Sequence, residues 1–260
     1  MKILLKSDCD QTIKNLLIIN NFSPKLILIL QKEGLNTLDI IKKNEELILD
    51  LNEKRKEMPL EDIQLDIVYE DEYFIIINKP KNISSIPSIK HYDHNLSNIL
   101  MNYYTKNNVN SLIHPVTRLD YKTSGLILFA KHRYIHNLFK NIKIDKYYRA
   151  TLKGKIYPYS GYFLLPIKDN DNMIRDISED GKKSLTYYEL INYEDNNSIV
   201  KIKLFTGRTH QIRRHFSYLG YPIIGDDLYS NCSGDLMLEC YKLAFIHPIT
   251  KQNIEVKIWD

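Results

Sequence analysis

The sequence predicts an α+β protein in two parts, and three observations lead to it. Helix signals followed by short strand patterns occupy the N-terminal stretch, a charged run then interrupts the chain, and strand patterns dominate from Ile67 onward. A chain of 260 residues that is 43% hydrophobic and 26% charged can bury a sizeable core in two such units.

Residues 1–57 form the first unit. Thr12 to Asn20 reads as a helix, and Ser23-Pro24 is a start signal for a second one, which Lys25 to Lys32 continues with Leu26 and Leu30 on an apolar stripe. Short strands are expected over Leu35 to Ile41 and Glu46 to Leu51. The run Glu53-Lys54-Arg55-Lys56-Glu57 with Pro59 reads as a linker, leaving residues 58–260 as the second unit.

In the second unit, Ile67 to Tyr69 and Tyr73 to Ile77 read as strands around the acidic turn Glu70-Asp71-Glu72. The second strand runs into Asn78-Lys79-Pro80, read as a structural turn in which Asn82 supplies a left-handed backbone. Leu96 to Tyr104 and His132 to Asn141 read as helices, and Asp145 to Gly154 as a strand. Asp169 to Lys183 reads as a mobile polar loop, and Leu185 to Ile191 pairs with Ile199 to Phe205. The tail from Leu236 carries a last helix or turn and two strands around His247-Pro248, with Trp259 assigned to the core.

Composition narrows the function classes. No stretch has the long uncharged apolar run of a membrane helix, and Lys2, Lys6, Asp8 and Asp10 charge the segment that a signal peptide would keep apolar. A cytoplasmic protein with no membrane contact is expected. Cys9, Cys232 and Cys240 are odd in number and lack metal-site or paired-thiol spacing, so reduced thiols and no metal are expected. The net charge of +4 is mild, but its distribution is not. Asn196 to Ile224 holds Lys201, Lys203, Arg208, Arg213 and Arg214 without one Asp or Glu, and Lys140 to Lys168 is basic with only Asp145 opposing. Two such segments suit a phosphate backbone.

The second unit is organised around His114 to Lys131. Leu126 to Ala130 is an uninterrupted apolar run that reads as a strand buried on both faces, and Gly125 lets the chain turn sharply into it. Ahead of it Arg118 and Asp120, two residues apart, fall on one face of an extended backbone, beside Thr123 and Ser124. A carboxylate is thereby held at a rigid edge next to a cation.

This pattern resembles the signature of the RluA-type pseudouridine synthases: roughly His-Arg-Leu-Asp, two variable residues, Thr-Ser-Gly, and a hydrophobic strand ending Ala-Lys. The chain matches at Arg118-Leu119-Asp120, Thr123-Ser124-Gly125 and Ala130-Lys131, with Thr117 where many members carry His. A second block, Lys146, Tyr148 and Ala150, resembles the family's Lys-x-Tyr-x-Ala and lies in register on one strand face. The third, Gly207-Arg208-Thr209-His210-Gln211-Ile212-Arg213 with His215, then Gly220-Tyr221-Pro222-Ile223 and Gly225-Asp226, is similar to Gly-Arg-Thr-His-Gln-Ile-Arg-x-His followed by Gly-x-Pro-Ile-x-Gly-Asp. Three ordered blocks carry the resemblance over nearly all of the chain after about Leu60.

The resemblance implies a pseudouridine synthase catalytic fold over residues 58–260: a long mixed, mainly antiparallel central sheet flanked by helices, with a cleft that joins the three blocks. Residues 1–57 resemble a degenerate αL-type RNA-binding module whose basic residues are mainly Lys14, Lys25 and Lys32. The implied activity is isomerisation of uridine to pseudouridine in structured RNA, with no cofactor and as a monomer. Asp120 is the implied catalytic carboxylate, in a dry pocket and paired with Arg213, one turn past a helix entry at Thr209. Tyr148 would cover the base, and Arg118 would fill the gap left by the flipped nucleotide. Lys146, Arg208, Arg214 and His210 complete the expected RNA contacts. Whether Asp120 attacks the base or the sugar, or takes a proton from the sugar, stays open. His210 and His215 have no third ligand at metal spacing and read as structural rather than zinc-binding.

Large-subunit ribosomal RNA is the expected substrate. Transfer RNA is an alternative, as is a non-catalytic RNA-binding role in ribosome assembly. A pure binder, however, has no use for a carboxylate inside a cationic cleft, where it repels phosphate. A hydrolase finds neither a nucleophile elbow nor a metal-ligand set. The uridine itself is not legible, because it depends on RNA shape around the site.

Overall fold

A computed structural model of the chain describes residues 1–51, 58–87, 92–170 and 174–259. The first part contains β1 (Lys2–Lys6), β2 (Gln11–Thr12), α1 (Ile13–Ile19), α2 (Pro24–Lys32), β3 (Ile40–Ile41) and β4 (Glu46–Asp50). Both helices begin where side chains cap them: Thr12 accepts from the Asn15 N–H, and Ser23 from the Leu26 N–H with Pro24 following. Leu16, Leu17, Leu26 and Leu30 are buried with Leu5 and Leu49 of the antiparallel β1–β4 pair. The strand expected over Leu35 to Ile41 shrinks to β3, and β1 was not expected, since charged residues at both its ends mask a short alternating pattern. The linker read at Glu53 to Glu57 lies outside the described residues.

The second part contains β5 (Ile67–Glu70), β6 (Phe74–Lys79), α3 (Leu96–Lys106), β7 (His114–Pro115), β8 (Ser124–Ala130), α4 (Arg133–Phe139), β9 (Asp145–Leu152) and β10 (Ser160–Leu164). It continues with β11 (Ile167–Asp169), β12 (Arg175–Ile177), β13 (Leu185–Glu194), β14 (Asn197–Leu204), α5 (Gln211–Tyr218), β15 (Leu238–Ile246) and β16 (Asn253–Lys257). A ten-stranded sheet runs in the order β10-β13-β14-β9-β15-β8-β6-β5, with β16 on β15 and β7 on β8. Its pairings are antiparallel except that of β15 with β8. This is the long mixed, mainly antiparallel sheet expected of the α+β fold.

The parallel seam brings the first and second blocks together. Gly125 has φ +104°, and a Cβ there would stand 2.2 Å from the Cys240 carbonyl oxygen, so only glycine permits the approach of β8 to β15. Leu126 to Ala130 are fully buried, as expected of a strand covered on both faces. β9 instead alternates, with Tyr148, Ala150 and Leu152 buried on the face toward α5 and Arg149 exposed on the other. On the buried face Phe216 of α5 packs edge-on against Tyr188 and Phe163.

The two parts meet at α4, where Phe22 packs at a tilt against Tyr134 at 4.4 Å between ring centroids and the Tyr134 hydroxyl donates to the Asn20 carbonyl. Three expectations need correction. The polar stretch over Asp169 to Lys183 includes strand β12, which pairs with β11 as a hairpin tied down by the Arg175 N–H donating to Tyr229 Oη. The last helix starts at Gln211, because His210 takes a left-handed conformation at its entry. Trp259 is only half-buried: it stacks on Tyr241 at 4.1 Å with Arg149 over its ring, on a sheet face that no second layer buries completely.

Candidate active site

The three blocks converge on one cleft of about 370 Å³, walled by Val116, Leu204, Ile212 and Leu238. Asp120 stands at its floor, on the loop that leads into β8. That loop is tied at several points. Ser85 Oγ donates to the Leu119 carbonyl at 2.8 Å and accepts from the Leu119 N–H, and the Thr123 N–H closes a turn on the Asp120 carbonyl. Thr117 accepts from the Leu128 N–H at 3.0 Å, so the hydroxyl at this departure from the family pattern anchors the loop to β8.

Behind Asp120 lies a cation that sequence reasoning treated as part of a plain turn. Lys79 is fully buried and its ammonium donates to the carbonyls of Pro80 at 2.8 Å, Ile83 at 2.9 Å and Tyr121 at 3.3 Å. It joins the Ser84 to Ile86 wall to the residue following Asp120. Burial pushes Lys79 down to about 8, and the Asp120 charge pulls the other way. The signal in the sequence was a lysine ending an apolar strand.

Arg213 is in the cleft and makes the expected ion pair with Asp120 at long range, but it grips a second carboxylate more closely. Its Nε and Nη2 grip Asp226 at 2.9 and 2.6 Å, while Nη1 stands 4.0 Å from Asp120 Oδ2. The Arg213 and Asp226 side chains are 6% and 1% exposed, and a bidentate fork is the geometry that offsets the cost of burying two charges. Burial works against the guanidinium charge, but the bond to and charge of Asp226, followed by Asp120, outweigh it and raise Arg213. Asp120 keeps its lone pairs free of a direct fork, and its side chain is 29% exposed toward the cleft rather than dry.

Tyr148 lines the cleft from β9, opposite Cys240 of β15. Burial, then the neighbouring Cys240 and Asp120, push Tyr148 well above the ordinary tyrosine range, so it is a neutral phenol at pH 7. Cys240 is itself pushed up to about 12 by burial. Lys146, on the same face, is lowered by burial. Arg118, Arg208 and His210 complete the lining, with Arg208 Nε donating to the Lys183 carbonyl at 3.3 Å. His210 Nε2 lies 3.9 Å from Asp120 Oδ2 and Nδ1 lies 2.9 Å from the Tyr229 hydroxyl. Arg214 is outside this lining and reaches Asp176 of β12 at 3.4 Å.

Thr123, read only as a turn former, lines the cleft, and its buried Oγ1 has no hydrogen-bond partner among the described residues. His215 fits the structural reading: Nε2 donates to the Leu165 carbonyl at 3.0 Å and Nδ1 accepts from Thr186 Oγ1 at 2.9 Å. Among the described residues, no group of His, Cys, Asp and Glu could hold a metal ion. No helix there is long and apolar enough to cross a membrane.

A family model described as RNA pseudouridylate synthase matches residues 73–218, which span all three blocks through His215. An uncharacterised RNA pseudouridine synthase of Bacillus subtilis is 37% identical over 226 residues, covering 83% of this chain and 80% of the relative. Ribosomal large subunit pseudouridine synthase D of Borreliella burgdorferi is 34% identical over 221 residues, covering 77% and 68%. Among solved structures, human RNA pseudouridylate synthase domain containing 1 superposes with a TM-score of 0.64 at 26% identity, covering 78% of this chain and 86% of that one.

Proposed function

The chain belongs to the RNA pseudouridylate synthase family and is an isomerase acting on RNA, and from that premise we propose that Asp120 carries the reaction on a uridine flipped out of ribosomal RNA. The observation that supports this most is the convergence of the three blocks on one carboxylate. It is held by a fixed loop, is open to a cleft of about 370 Å³, and has guanidinium and imidazole groups about 4 Å from one oxygen.

Isomerisation breaks the N1 to C1′ bond of uridine and joins C5 to C1′. The proton that leaves C5 is balanced by one taken up at the freed nitrogen. Nothing is oxidised or reduced, so the reaction needs no cofactor. Asp120 acts by adding to the base or the sugar, or by accepting a proton from the sugar. A base seated over it excludes water from the part-exposed carboxylate, and Arg213 stabilises the anion there. Tyr148 stacks on the base and offers a neutral hydroxyl, not a phenolate. Arg118, at the rim, fills the vacated stack, while Lys146 and Arg208 meet the RNA strand. Arg214 contributes to the surrounding positive field through the β12 side. The N-terminal part, docked on α4 through Asn20 and Phe22, extends the RNA surface.

Ribosomal RNA is favoured as the substrate because the Borreliella relative is named for the large subunit. Mapping pseudouridine across ribosomal and transfer RNA, with and without the gene, tests this directly. A site lost from large-subunit RNA on deletion is the expected result. Loss confined to transfer RNA would replace the substrate, and no loss in any RNA would return the chain to the binding-factor class.

A further inference from the structure

His210 occupies a position where a helix normally receives a cap, yet it does not cap. It is the residue before α5, but its side chain makes no capping hydrogen bond and its backbone is left-handed at φ 54°. A non-glycine residue in that conformation carries strain, which persists where the surroundings impose it for a purpose. Here the twist aims the imidazole away from its own helix and into the cleft, with a side-chain exposure of 14%.

The partners of the ring fix its proton. The Arg175 backbone N–H can only donate, so Tyr229 Oη accepts it at 2.9 Å. The Tyr229 hydroxyl proton is then free to reach His210 Nδ1, also at 2.9 Å, and the Asp120 carboxylate facing Nε2 favours that arrangement over an Nδ1–H ring. With Nδ1 accepting, a neutral imidazole carries its proton on Nε2, and that atom faces Asp120 Oδ2 at 3.9 Å. Burial lowers His210, and the Arg213 and Arg175 charges add to this while Asp120 opposes it, in keeping with a neutral ring.

We propose that His210 is a positioning residue for the reaction: its Nε2–H, set by the Arg175–Tyr229 chain, closes on Asp120 Oδ2 when RNA seats, leaving Oδ1 for the substrate. Closing from 3.9 Å needs a shift of about 1 Å, and hydrogen bonds of this kind tighten in the loaded enzyme. Arg213 Nη1 stands no closer to the same oxygen, at 4.0 Å, and the Asp226 fork on its other two nitrogens holds the guanidinium in place. The chain also connects the carboxylate to β12, outside the three blocks.

The inference rests on Asp120 as the reacting carboxylate, and Asp120→Asn tests that premise separately. In single-turnover assays on the RNA substrate, His210→Ala is expected to slow the chemical step about tenfold to a hundredfold, with RNA affinity within about twofold of wild type. His210→Gln, whose amide can donate from a similar position, is expected to recover part of the rate. Tyr229→Phe should slow the step several-fold in the wild-type background and have no further effect on His210→Ala. Nitrogen NMR of the full-length protein should show the Nε2–H form of His210. A wild-type rate for His210→Ala overturns the inference, as does a loss entirely in affinity, additive effects of the two substitutions, or an Nδ1–H ring. If Asp120→Asn is inactive when any of these occurs, only the role of His210 falls; an active Asp120→Asn removes the premise instead.

Discussion

Removing the Asp226 carboxylate while leaving its shape tests how the site holds its cation. In Asp226→Asn the Arg213 guanidinium, with its side chain 6% exposed, loses a charged fork at 2.9 and 2.6 Å and meets an amide with one accepting oxygen, whose NH2 turns N–H groups toward N–H groups. An uncompensated buried charge costs about 3–5 kcal/mol. Asp226 Oδ1 also accepts from the Leu228 and Tyr229 N–H groups, so the turn carrying Tyr229 loosens as well. Part of the loss is recovered, because Asp120 is only 4.0 Å from Arg213 Nη1 and becomes its new partner. A net loss of about 2–4 kcal/mol follows, or roughly 4–16 °C in Tm for a domain of this size. Urea unfolding followed by circular dichroism measures it. The new Asp120 pairing should also block the carboxylate and lower turnover. The double variant Arg213→Met with Asp226→Leu, which removes both charges, should be more stable than the single one while remaining inactive. If Asp226→Asn unfolds within about 0.5 kcal/mol of wild type, or the double variant is less stable than the single, the buried fork does not support the site as described.

Gly125→Ala should cost about 2–5 kcal/mol, from a strained φ of +104° and a methyl 2.2 Å from the Cys240 carbonyl; a melting temperature within about 2 °C of wild type would contradict the seam geometry. His215 is fully buried and pushed down to about 4, chiefly by burial. The unfolded chain therefore binds a proton on it below about 6.5 that the folded chain refuses, and stability falls with decreasing pH until about 4, where the effect levels off. The total is of order 3 kcal/mol, and His215→Gln should flatten that part of a stability–pH profile; an unchanged slope would refute the assignment. Tyr148→Phe should slow product formation without altering the pH–rate profile between about pH 6 and 9, since burial keeps the phenol protonated throughout. Disappearance of a basic limb in the variant would show that a phenolate acts there.

Much of the fold was legible because its signals are local. The run Leu126 to Ala130 has no polar interruption, so its burial on both faces could be read directly, and the period of two placed Lys146 and Tyr148 on one side of β9. The N-terminal helices were legible from Thr12, Ser23 and Pro24. What failed depended on partners distant in sequence. Arg213 was matched with Asp120 by resemblance, and that pair is present at 4.0 Å, but its closer partner Asp226 was missed because nothing in the order of residues shows that Asp226 is the more deeply buried acid. Lys79 looked like part of a turn, since three carbonyls gathering at one ammonium come from two separate loops. The β11–β12 hairpin was hidden by its polar composition, as its hold comes from Tyr229 more than fifty residues away. Trp259 was assigned to the core by its type, whereas it lies on a face where Tyr241 and Arg149 cover it only in part.

The central claim is that the Asp120 carboxylate performs the chemistry rather than the binding. Single-turnover conversion of the mapped RNA substrate by purified Asp120→Asn, measured beside its affinity for the same RNA, tests it most directly. Affinity close to wild type with no pseudouridine formed is the predicted result. Pseudouridine appearing at the wild-type rate would contradict it.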